Sequence, residues 1–250
     1  MSGILIRVKG ASFEANAVGF IPPVADGLEY WNFFSGGANK VTRNLALGKA
    51  GSTLVGVPTY NADSAVFTAA TAYLQTGVDD TAEMTFIAVA KPLIDASAHI
   101  ISSFSAPRVN GAGGGNSQGK SLWFTGGSSG DGLVQAVAAQ ARWDGVGSSS
   151  TLTSSGSLGL PVGQWQAITG LMGPTSNQLR LPATGFIDTD TPLLQPDLST
   201  GKLRIGSATV GNASVEIAFA AIYNRVLSAQ EADDVYAFLK GYYSRRGIAI

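Results

Sequence analysis

Residues Val215 to Tyr243 read VEIAFAAIYNRVLSAQEADDVYAFLKGYY, and the hydrophobic period changes midway. Val215, Ile217 and Phe219 alternate with Glu216, Ala218 and Ala220, the two-residue period of a strand with one buried face. After a turn at Asn224 and Arg225, Ser228 and Glu231 form an S-x-x-E capping box, in which each side chain satisfies the other residue's backbone amide. Ala232, Val235, Leu239 and Tyr242 then share a helical stripe, leaving Asp233, Asp234 and Lys240 for water. A strand, a tight turn and one short amphipathic helix therefore close a chain that is otherwise rich in strand patterns.

The preceding strands are separated by glycine-rich turns. Ile4–Lys9 alternates apolar and basic residues and reads as an edge strand. Leu28–Phe34, LEYWNFF, is the most aromatic segment, and residues 39–59 read as loop and short strands. Ala72–Gln75, Met84–Ala90, His99–Phe104, Ser121–Thr125, Leu133–Trp143 and Gln164–Leu171 follow as strands. Neither a repeat nor a polar linker divides the chain, so one sandwich is the simplest architecture. Residues 1–59 are expected to be an attachment region or extra strands of the sandwich that occupies 60–250. Arg245–Ile250 is expected to add a strand or to dock on a neighbouring subunit.

A chain of 250 residues can bury about three quarters of its unfolded surface, so no disulfide or metal is required to hold it. Charged residues make up 13% and the net charge is -1, which gives no basic field for nucleic acid or anionic lipid. With no cysteine, thiol catalysis and Cys-based zinc sites are excluded. Neither a signal-peptide pattern at the N-terminus nor an apolar run of about 18 residues is present, so synthesis in a cytoplasm without membrane insertion is expected.

Ile222-Tyr223-Asn224-Arg225 with Leu227-Ser228 and Glu231 resembles the C-terminal signature of concanavalin A-like (laminin G-like) domains found in bacteriophage tail fibre and virion proteins. Met84–Ala90 with Lys91-Pro92, and Lys202–Ser207, resemble two further strands of that family. Gln164–Leu171 resembles the strand whose tryptophan, here Trp165, lies between the sheets. The resemblance implies an all-β concanavalin A-like jelly-roll sandwich with one short C-terminal amphipathic helix. It also implies one calcium at the sandwich rim, for which Asp188 and Asp190, alternate residues on one strand face, are the candidate ligands; a solvated turn is the competing reading.

Other motifs carry little chemistry. Gly114–Ser121, GGNSQGKS, fits the P-loop expression, but strand residues follow where a helix is needed to meet phosphates. Glu14, Glu29, Glu83, Glu216 and Glu231 are scattered, without the E-x-D-x-E run of glucanases on this fold, so no catalytic residue is assigned. His99, the single histidine, reads as structural. Sugar rings stack on aromatic faces, which makes Trp31, Trp123 and Trp143, with Asp144 beside the last, the candidate glycan-binding residues.

With the resemblance, these residues lead to a phage tail fibre or receptor-binding protein that recognises a host surface polysaccharide without covalent chemistry. The expected assembly is a homotrimer in contact with other virion proteins and released by lysis. A structural decoration protein of the capsid or tail, and a polysaccharide depolymerase, are the alternatives.

Overall fold

The computed structural model describes residues 21–109, 115–126, 131–156, 158–208 and 213–250, with only the backbone of Ser148. The expected strand Ile4–Lys9 lies outside them. Two antiparallel sheets pack face to face. The first runs Phe186–Asp190, Asn177–Leu181, Gln166–Met172, Met84–Pro92, Ser214–Tyr223, Ala65–Thr68 and Thr59–Tyr60, with Leu28–Phe33 also paired to Ser214–Tyr223. The second runs Ser148–Ser154, Leu133–Trp143, Lys120–Gly126, Ala98–Ser102, Arg204–Ile205, Tyr73–Gln75 and Thr53–Val55. Residues 28–60 thus contribute strands to both sheets.

Ser214–Tyr223 is buried along nearly its whole length because it is covered on both faces. Val215, Ile217, Ala220 and Ile222 enter the core between the sheets. Ala218, Phe219, Ala221 and Tyr223 instead join Trp31, Val235 and Leu239 beneath the C-terminal helix. A register shift between Ile217 and Phe219 causes the change of face. This bulge corrects the simple alternation expected for Val215, Ile217 and Phe219, since an extra residue moves every later side chain to the opposite face.

The helix Ala229–Ser244 begins with the expected capping box: Glu231 N donates to Ser228 Oγ at 3.2 Å and Ser228 N to Glu231 Oε2 at 2.8 Å. Arg225 donates to both Glu231 oxygens, at 3.0 and 2.6 Å, tying the turn to the cap. Ala232, Val235, Leu239 and Tyr243 form the buried stripe. Tyr243 takes the place expected for Tyr242 and donates its hydroxyl to Ala218 O at 2.8 Å, while Tyr242 stacks on Phe33 with centroids 4.2 Å apart. The tail forms no strand; Ile248 and Ile250 fold back against the helix-side cluster, and Tyr236 OH donates to Ile250 O at 3.1 Å.

Trp165 also differs from expectation. It precedes the strand Gln166–Met172, packs half-buried on the helix-side cluster and carries Lys91 Nζ 4.7 Å from its ring centroid, whereas Ile168 and Met172 fill the space between the sheets. Polar rivets cross that space. Arg142 donates to the carbonyls of Gly173, Pro174 and Leu194, and Gln140 to Gly173 O. Asn177 donates to Ala138 O at 3.0 Å.

The first sheet is therefore covered by core on one side and by the helix on the other. The second meets that core on one side, and its other face carries a groove.

Candidate functional site

The outer face of the second sheet carries a groove of about 270 Å³. Leu122 and Phe124 point into the core, which turns Ser121 and Trp123 outward from the same strand. A register shift between Leu122 and Trp123 sets Trp123 opposite His99. Their rings stack with centroids 5.5 Å apart and planes 23° from parallel, and Phe104 lies 6.1 Å beyond His99. On the other flank Ala139 pairs with Leu152, whose side chain is 54% exposed and extends the apolar floor.

Among the described residues the rim is polar and uncharged. Ser150 Oγ donates to Gln118 Oε1, and the hydroxyls of Ser102 and Ser121 are 2.8 Å apart. Gly119 turns the chain into the groove wall at φ +60°, and a Cβ there would meet Ser103 Oγ at 2.4 Å. Burial lowers the His99 pKa to about 4, so the imidazole is neutral at neutral pH, and among the described residues its Nδ1 is buried without a hydrogen-bond partner. An aromatic and aliphatic floor with hydroxyls and an amide at the edge suits the apolar face of a sugar ring and its equatorial hydroxyls.

Of the expected glycan residues, the groove contains Trp123. Trp31 is fully buried, edge-on to Phe219 with centroids 4.6 Å apart, so it packs under the helix and cannot meet a ligand. Trp143 lies outside the groove with one ring face covered by the Arg108 guanidinium at 4.2 Å, itself paired to Asp197 at 2.9 Å. Asp144 accepts from Val146 N and Gly147 N at 2.8 and 2.7 Å; these turn amides hold its carboxyl below the usual range. It shapes a turn.

Asp188 and Asp190 occupy the edge strand Phe186–Asp190. Asp188 accepts from Ser154 N at 3.0 Å, joining the edges of the two sheets, while Asp190 accepts from Thr191 N at 2.8 Å. Calcium takes roughly six to eight oxygen ligands. These two carboxylates are directed at separate amides, and no group of three or more His, Cys, Asp or Glu side chains gathers among the described residues, so the pair does not fit a calcium cage.

Lys120, the lysine of the P-loop-like run, is in the strand Lys120–Gly126 and is 1% exposed, with Nζ on Asp80 Oδ1 at 2.9 Å and on Thr81 O. It faces the interior, away from any phosphate. Glu216 is engaged by Lys91, Ser64 and Asn61, and Glu29 by Lys49 and Asn224. Among the described residues no carboxylate lines the groove.

Neither a protein-family model nor a curated protein matches the sequence. Solved structures match its fold. A Trypanosoma rangeli sialidase mutant displaying trans-sialidase activity superposes with a TM-score of 0.57 at 11% identity, covering 86% of this chain and 33% of that one. The binding domain of botulinum neurotoxin DC in complex with SialylT gives 0.55 at 10% identity, over 87% of this chain and 52% of that one. Domain 4 of an extracellular arabinanase from Geobacillus stearothermophilus, in complex with arabinotriose, gives 0.55 at 13% identity, over 83% and 97%. The chain thus spans about a third of the sialidase and nearly all of the arabinanase domain. All three contain lectin/glucanase-like β-sandwiches, the fold of this chain.

Proposed function

We propose that this chain is a non-catalytic glycan-binding domain that uses the groove over Trp123, and that it serves in a phage tail fibre or receptor-binding protein to hold a host surface polysaccharide. The observation that carries the reading is the outward Trp123–His99 stack in a groove bordered by hydroxyls and an amide, with no carboxylate among its described lining residues to do hydrolysis. The arabinanase domain, matched over nearly its whole length, is in complex with arabinotriose, and the botulinum toxin binding domain, matched over about half of its length, is in complex with SialylT, which supports it. The virion setting rests on the sequence resemblance alone. The groove is small beside the roughly 300–1,000 Å³ of typical ligand pockets, so it takes a short glycan segment weakly. Several copies, here a homotrimer, would supply avidity.

Binding of the purified protein to host cells and to their extracted polysaccharides, with the incubated glycan sized afterwards, tests this. Saturable binding without shortening is expected. Trp123→Ala should weaken it at least tenfold, and Trp143→Ala should leave it near wild type. Equal binding by wild type and Trp123→Ala would move the site elsewhere. Absence of binding by folded protein would favour a structural role in the particle, and shortened glycan a depolymerase.

A further inference from the structure

We infer that the groove selects uncharged sugar residues and rejects sialic and uronic acids. The inference deepens the glycan reading above and rests on it. The described side chains that line the groove include no Lys, Arg, Asp or Glu, and their one titratable group, His99, is neutral except in acid. A carboxylate entering this floor would lose water without gaining a cationic or bidentate partner, which disfavours it against a hydroxymethyl group of similar size.

The cations nearest in the chain are directed elsewhere. Lys120 begins the Trp123 strand but is buried against Asp80, and Arg142, 1% exposed, spends its guanidinium on three carbonyls between the sheets. Arg108 lies over Trp143 and on Asp197. Arg204 and Lys202 line a separate small recess that meets the groove at Phe104, but Arg204 Nε donates to Gln75 at 3.1 Å with its guanidinium over Tyr73, and Lys202 is paired to Asp79. The sequences Asn110–Gly114 and Gly127–Gly130, which adjoin these strands in the chain, contain no charged residue.

The test is binding to an array of neutral and acidic polysaccharides that includes uronic-acid polymers before and after reduction of their carboxylates to primary alcohols. The neutral members are expected to bind at least tenfold tighter than their acidic parents. Their affinity should hold constant as salt is raised from about 50 to about 500 mM, because no ion pair is screened. Ser150→Arg, which adds a cation at the exposed rim, should narrow the gap; a gap that does not move places the discrimination outside the groove and overturns the inference. Preference for the acidic parents, weakening with salt, overturns it while leaving glycan binding intact. Failure of every member to bind removes the glycan reading itself, and this inference with it.

Discussion

Trp31 and Trp123 show how one residue type is given opposite tasks by the face it occupies. Trp31 sits on the side of the first sheet that the helix covers, ringed by Phe33, Phe219 and Phe238. Trp31→Ala should therefore lower unfolding free energy by about 3–5 kcal/mol, read from denaturant melts, and leave the affinity of the remaining folded molecules for glycan unchanged. A loss of affinity without a loss of stability would contradict this placement. Sequence separates these tryptophans poorly. Leu28–Phe34 is legible as an aromatic strand, but whether its outer face is covered depends on a helix two hundred residues later. His99 illustrates the same limit: its neighbours Ala98 and Ile100 reveal a strand, whereas its stack on Trp123 depends on a register shift that no local pattern encodes. Leu152, Ser150 and Gln118 carried no signal, being ordinary residues brought to the groove only by strand pairing.

Among the elements, the helix was the most legible because caps and amphipathic stripes are local. Its start depends on Glu231, whose pKa the Arg225 guanidinium, with help from the Ser228 amide, lowers to about 2. The folded state binds this proton more weakly than the unfolded chain, so the cap's contribution is complete above the usual pKa near 4.5 and fades as pH falls towards 2. Glu231→Ala should cost about 1 kcal/mol at neutral pH, and the difference from wild type should shrink on acidification, as thermal melts across that range would reveal. A difference independent of pH would mean that the carboxylate is not the stabilising group. The strands were legible in proportion to their apolar content. Leu133–Trp143 agrees end to end, while the strand Ser148–Ser154, SSSTLTS, is not among the expected ones, because its partner Leu133–Trp143 supplies its register and the serines themselves give no period. The bulge before Phe219 was equally silent, since it arises from packing both faces of one strand at once.

At the scale of the molecule, the fold closes through side chains that reach across its two sheets, with Arg142, Gln140, Asn177 and Asp188 as the ties. Each of these ties is a hydrogen bond between protein groups. Addition of a chelator is accordingly expected to leave both the unfolding midpoint and glycan binding unchanged, and a fall in either would identify a calcium site that Asp188 and Asp190 alone do not make. The helix side and the groove side also differ in what the chain does there. Val24 and Ile250 both lie with the helix-side cluster, whereas the groove opens on the far sheet. The molecule therefore behaves like a badge with its pin on the back: a tether fixed at Ile250 leaves from the rear and turns the groove outward. Immobilised by that end, the domain should present its recognition face to an approaching surface; anchored through Ser150, it would be blindfolded.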